Sequence, residues 1–141
     1  MTFIVYIDGL SLPSNPGTGT YGFVIYEEQK RLAEGHGLAG VGVTSNYAEY
    51  TALVEALRKL RAIGVEGDVL VKSDSKLVVG QMSEGWMVKG GTYVGKLKEA
   101  RDLIRDFGLI TFQWIPREQN QEADLLTRVA YEEHIRQGPS P

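Results

Sequence analysis

The sequence contains no cysteine in its 141 residues. Disulfides, thiolate nucleophiles and cysteine-ligated zinc are therefore excluded. It also lacks a basic excess, with a formal net charge of -3. That excludes a strongly basic nucleic-acid coat but leaves room for a local basic groove. No apolar run approaches the roughly 20 residues of a membrane helix. The first residues run straight into a strand-like segment, with no basic stretch and apolar core of a secretory signal. These absences predict a soluble, cytoplasmic chain with no membrane association and no disulfide partner. The remainder, 43% apolar and 23% charged, is ordinary for one globular domain with one core. The expected domain covers residues 1–136. The closing "QGPSP", 137–141, carries two prolines and reads as a loose tail.

Hydrophobic patterning predicts nine elements in the order β-β-β-α-β-α-α-β-α. "TFIVYID" is almost wholly apolar and β-branched or aromatic, as in a central strand covered on both faces. "GLSLPSNPGTGT" reads as a loop. "YGFVIYEE" and "KRLAEGHGLAG" read as two strands joined by a tight turn near Gln29. A long helix is expected over 45–63, stopped by Gly64. "DVLVKSD" is a strand, "SKLVVGQM" a short helix and "EGWMVKGG" a glycine-rich connection. A helix over 93–106, a strand in "LITFQWI" and a helix in "NQEADLLTRVAYEEHIR" complete the chain. A three-strand antiparallel meander followed by helical crossovers predicts an α/β fold with a mixed five-stranded sheet and helices on both faces. The first and fourth strands are then parallel neighbours, with Asp8 and Asp74 at their ends.

Glu49 poses a question. Leu53, Ala56, Leu60 and Ile63 mark the buried stripe of the first helix, and Glu49 lies one turn before Leu53 in the same register. No lysine or arginine lies one turn away on that face to neutralise it. Asp8, Asp74 and Asp124 each have a simpler reading. Asp8 before Gly9 suits a turn, Asp74 before Ser75 suits a helix cap, and Asp124 suits the first turns of a helix. Together the four acids form a cluster of oxygen ligands without histidine or cysteine, the donor set preferred by Mg²⁺ or Mn²⁺. Four carboxylates can share two ions about 4 Å apart, a spacing suited to in-line phosphodiester displacement.

Four ordered segments, "YIDGLSLPSNPGTGTYGFVIY", "TSNYAEYTAL", "KSDSKLVVGQM" and "WIPREQNQEADLLTR", resemble the signature segments of type 1 ribonuclease H. Each carries one acid, and the resemblance covers about residues 3–131. The short middle and "WIPRE" are most similar to the archaeal-type branch, which lacks the basic protrusion. The resemblance implies endonucleolytic cleavage of the RNA strand of an RNA/DNA hybrid, leaving 5′-phosphate and 3′-hydroxyl ends. It implies Asp8, Glu49, Asp74 and Asp124 as metal-binding acids, with two Mg²⁺ ions expected with substrate and Mn²⁺ as a substitute. It implies substrate contacts from Gly9, Leu10, Asn15, Thr44, Ser45, Asn46, Ser75 and Lys76. Asn46 also reads as a helix N-cap.

Two departures from the family pattern stand out. Relatives place a histidine in the loop before the last acid, whereas "PREQNQEAD" has none. His36 and His134 match no motif. Arg117 is the expected replacement, steering phosphate or product; it also reads as a solvated loop charge. The second departure is "SEGWMVKGGTYVGK", which carries only Lys89 and Lys96 where others insert a basic helix. Lys72, Lys76, Lys89 and Lys96 are then the lysines available to a DNA strand, and each also reads as a solubilising residue. Trp86 is expected to pack under the sheet edge. A monomer is expected. A nuclease acting on DNA junctions or ends and a non-catalytic hybrid-binding module are the alternatives. Double-stranded RNA, whose geometry is shared in part with the hybrid, stays open as a second substrate.

Overall fold

The computed structural model describes residues 2–137. Five strands form one sheet in the order β3-β2-β1-β4-β5: β1 (Thr2–Leu12), β2 (Gly17–Glu27), β3 (Lys30–Val43), β4 (Asp68–Ser73) and β5 (Ile110–Trp114). β1, β2 and β3 pair antiparallel, whereas β4 pairs parallel to both β1 and β5. The helices are α1 (Ser45–Ala62), α2 (Lys76–Ser83), α3 (Val94–Ile104) and α4 (Gln121–Arg136), the last preceded by a 3-10 turn at Arg117–Gln119. The predicted order of elements and the mixed sheet are observed. The tail expected over 137–141 lies outside the described residues except for Gln137, which caps α4.

The main core lies between the sheet and the α1–α3 layer. Alternate residues of β1, Phe3, Val5 and Ile7, face Tyr50, Leu53, Leu57 and Leu60 of α1 and Leu97 of α3. Each fully buried large apolar side chain contributes about 1.5–3 kcal/mol. Leu53, Ala56 and Leu60 of the predicted stripe are buried, but Ile63 is exposed because it sits on the C-cap, past the last helical turn. There Gly64 takes φ +77°. Gly64 N–H bonds Arg61 O and Val65 N–H bonds Leu60 O, both at 3.1 Å. That bonding closes the helix as a Schellman turn, which the left-handed glycine permits.

On the opposite face α4 packs across β1, β2 and β3. The contact is close and partly polar. A Cβ placed on Gly22 would come within 2.6 Å of Ala123 O, so only glycine lets the α4 backbone approach. Thr20 Oγ1 donates to Thr127 O at 2.9 Å beside it.

The sequence reading is corrected on β1. Asp8 lies inside an eleven-residue strand rather than at its end, and the expected long loop shrinks to Pro13–Pro16. Glycines at 17 and 19 suggest a loop in composition, yet both lie in β2, and Gly19 is buried where neighbouring side chains leave no room for a Cβ. Pairing of β1 with β4 nevertheless stops at Ile7↔Ser73, so the β4 side of the strand opens at Asp8.

Candidate active site

Where β4 leaves the sheet, four acidic side chains converge from separate elements. Asp8 comes from β1, Asp74 from the residue after β4, Glu49 from one turn into α1 and Asp124 from the first turn of α4. One carboxylate oxygen each from Asp8, Glu49 and Asp74 lies within 4.8 Å of the others. Asp124 lines the same cleft together with Gly9, Leu10, Ser11, Ser45, Arg117 and Arg128. Its carboxylate also pairs with Arg128, whose Nε lies 3.2 Å away. The structure thus brings all four predicted acids to one cleft, three of them tightly.

Local folding explains each position. Glu49 reaches the cleft because Gly9 lets α1 rest directly on β1. A Cβ at Gly9 would sit 2.2 Å from Glu49 N and 2.3 Å from Ala48 C. Asp74 is not the helix cap its neighbourhood suggested. Ser75 caps α2 by accepting from Val78 N–H, leaving the Asp74 carboxylate free for the cleft. The Asp74 carbonyl accepts from Trp114 Nε1 at 3.1 Å, which pins the turn to β5. Asn46 is likewise not the cap of α1. Thr44 takes that place, its Oγ1 accepting from Tyr47 N–H at 3.1 Å.

Crowding of these carboxylates shows in their protonation. Burial, then the charges of Asp74 and Asp124, push the Asp8 carboxyl up to about 8, opposed by the Gly9 N–H that donates to it at 2.9 Å. Burial, with Asp8 and Asp74 next in order, raises Glu49 well above the usual carboxylate range. Asp74 is also raised by burial, against the Asn120 amide and the Arg117 guanidinium. Glu49 Oε2 is buried without a hydrogen-bond partner. Such a cluster is unfavourable without a cation. Its all-oxygen donor set and unpaired acceptor fit a hard divalent ion.

The expected substrate residues separate into groups. Asn15 and Ser45 hold each other, Nδ2 to Oγ at 2.9 Å and Oδ1 to Ser45 N–H at 3.0 Å. Ser45, Gly9 and Leu10 line the cleft. Ser75 is occupied with its cap and Lys76 lies over the Trp114 ring, 5.1 Å from its centroid. The lysines do not form one patch. Lys72 sits over Tyr6, and Lys96 lies against Tyr47 and Glu99. Trp86 lines one groove with Trp114 of the edge strand β5. It lies across Gly80 on α2, where a Cβ would be 2.1 Å from the ring, and stays 45% exposed. The glycine opens a seat for the indole on the helix.

His36 bonds Glu133 on α4 at 3.1 Å, and no histidine lines the acidic cleft. Sequence reasoning passed over two residues here. Arg128 was readable from its i+4 spacing to Asp124. Asn120 was not, because its side chain acts across the fold.

The family described as "Reverse transcriptase-like" matches residues 7–130. The chain is 34% identical over 131 residues to a bifunctional protein of Mycobacterium tuberculosis, covering 92% of this chain but 35% of that protein. It thus spans about a third of the length of the mycobacterial relatives it matches. It is 33% identical over 129 residues to a ribonuclease HI of Halobacterium salinarum, covering 91% of this chain and 63% of that protein. Among solved structures, LC11-RNase H1 in complex with an RNA/DNA hybrid superposes with TM-score 0.88 at 33% identity, covering 94% of this chain and 99% of that one.

Proposed function

The chain belongs to the type 1 ribonuclease H family, and on that premise we propose that it hydrolyses the RNA strand of RNA/DNA hybrids, leaving 5′-phosphate and 3′-hydroxyl ends. The convergence of Asp8, Glu49 and Asp74 oxygens within 4.8 Å carries this reading. Asp8, Glu49, Asp74 and Asp124 would hold two divalent cations, Mg²⁺ or Mn²⁺. Bound there, such ions supply an activated water and offset charge on the departing 3′-oxygen. Asp8 and Glu49 would bind as carboxylates, and because burial and then their neighbours' charges favour their protonated forms, cation affinity would rise with pH. Gly9, Leu10, Ser45 and the Asn15 bonded to it face the RNA strand, where 2′-hydroxyls distinguish it from DNA. Thr44 fixes that contact by capping α1, with Asn46 beside it. Ser75 and Lys76 lie toward the DNA strand. We propose a monomer acting in the cytoplasm.

Arg117 lines the cleft beside Asp74 and steers the phosphate or the departing product. Turnover of Arg117→Ala on hybrid should fall about tenfold or more; an unchanged rate would remove Arg117 from the mechanism. The reading as a whole is tested with end-labelled hybrid, RNA duplex and DNA duplex, each with Mg²⁺, Mn²⁺ or EDTA. Metal-dependent cutting of the RNA in the hybrid is expected. Cleavage that survives EDTA, or cutting of DNA alone, would overturn it. The RNA-duplex arm reads the second substrate directly.

A further inference from the structure

Asn120 stands immediately before α4, in the capping position, yet its side chain makes no capping hydrogen bond. Asparagine there ordinarily spends its side chain on the helix N–H groups. Here the side chain is 1% exposed and turned inward. Nδ2 donates to Ile7 O at 2.8 Å, joining residues 113 apart in the chain. Ile7 O accepts only, so it is the amide nitrogen that faces it. Ile7 is the last rung of the β1–β4 pairing and the residue before Asp8. The same amide favours the charged form of the Asp74 carboxyl. The Asn120 carbonyl accepts from Asp124 N–H at 3.1 Å. One residue therefore ties the strand that carries Asp8 to the turn of α4 that carries Asp124.

The contacts have a cost. Asn120 Oδ1 is buried without a partner, one of two such side-chain oxygens among the described residues. The other is Glu49 Oε2, in the acid cluster itself. A stranded acceptor destabilises the fold. A residue that merely filled this space would not carry one. What the amide adds is a fixed relation between the strand that carries Asp8 and the helix that carries Asp124.

We infer that Asn120 is the positioning residue of the acidic centre, holding β1 at Asp8 and the first turn of α4 in one arrangement. This rests on the acids being the cation site. Asn120 touches no substrate atom in this role; it sets how well the carboxylates are placed for a cation. Residues that orient ligands in this way change metal affinity or activity by about 10–100-fold when altered.

The test uses Asn120→Leu, which keeps the volume but removes both donors and the stranded oxygen, and Asn120→Ala beside it. Calorimetric titration with Mn²⁺ alone, without nucleic acid, is paired with steady-state cleavage of hybrid. The expected result is a folded protein whose Mn²⁺ affinity and kcat both fall by about 10–100-fold, while KM for hybrid stays within about twofold. Wild-type Mn²⁺ affinity and kcat in both variants would overturn the proposal. So would a loss carried entirely by KM, or failure of both variants to fold, which would make Asn120 a structural residue only. Wild-type protein that binds Mn²⁺ yet cuts no hybrid would count against the nuclease reading, while the Mn²⁺ comparison would still decide the role of Asn120.

Discussion

The two faces of the sheet are held by different means. Under α1 and α3 the contact is apolar and deep, with Val5, Ile7, Tyr50, Leu53, Leu57 and Leu60 all fully buried. Tyr50 is the polar exception, and its hydroxyl is satisfied by Gln81 Oε1 at 2.6 Å. Under α4 the contact is made by small residues and hydrogen bonds: Gly22 against Ala123, Thr20 to Thr127 and Asn120 to Ile7. Its outer rim is polar, through the Arg31–Glu122 ion pair and the His36–Glu133 hydrogen bond. Apolar burial is non-directional and tolerates small shifts, whereas hydrogen bonds fix distance and angle. The first face therefore supplies most of the stability. The second, on the inference drawn for Asn120, supplies the accuracy with which Asp124 meets Asp8.

Substitutions at the site itself should separate the two properties most widely. Asp8→Asn or Asp74→Asn should lower hybrid cleavage by more than about 100-fold, beyond the range expected for a residue behind the ligands. Thermal stability without metal should hold or rise, because a repelling buried charge is gone. Cleavage near the wild-type rate would refute these assignments. On the α1 face, Leu57→Ala should cost about 2–5 kcal/mol in denaturant unfolding through the cavity it leaves. Its kcat, measured where the variant is still folded, should match wild type. A kcat that fell in proportion to stability would erase the distinction between faces.

Gly22→Ala probes the α4 side. The added methyl meets Ala123 O and Leu126 Cβ at 2.6 and 2.8 Å. A cost of about 1–3 kcal/mol is expected from overpacking, with an activity loss of about tenfold or more as α4 and Asp124 are pushed outward. Stability lost without activity would show that α4 placement is not limiting.

The last effect concerns pH. The Asp8 carboxyl titrates near 8 in the folded protein against an ordinary 3.8. The folded state therefore holds a proton that the unfolded chain has released across that window. The contribution of Asp8 to stability is fully present below about pH 4 and is lost as pH rises toward 8. In EDTA, the melting temperature of wild type relative to Asp8→Asn should decline over that range. A flat difference would show that Asp8 is not crowded, and added Mg²⁺ should reduce the decline.

How much of this was legible in the sequence follows the same division. Element order and the sheet were readable because hydrophobic period and strand-like runs are local signals. Glu49 declared itself by sitting in a buried stripe, and Asp8 and Asp74 by closing apolar runs. The caps were off by two residues on α1 and by one on α2. Thr44 and Ser75, rather than Asn46 and Asp74, hold the helix N–H groups, and adjacent polar residues compete for that position on geometry that a sequence does not display. The start of β2 was hidden by Gly17 and Gly19, whose composition signals a loop while their packing makes a strand. Asn120 was read as part of an ordinary helix start because its partner, Ile7, lies at the other end of the chain.

That separation has a consequence for assembly. Bonds from Asn120 to Ile7 and from Thr20 to Thr127 close spans of 113 and 107 residues. A chain that has formed the meander, α1 and β4 already holds much of its apolar core and three of the acids. It still lacks Asp124 and the amide that ties β1 to the start of α4. Docking of the last helix is a single long-range closure, whose entropic cost grows only slowly with length. On the proposed reading, a chain whose last helix has not docked holds three of the four acids and cuts no hybrid.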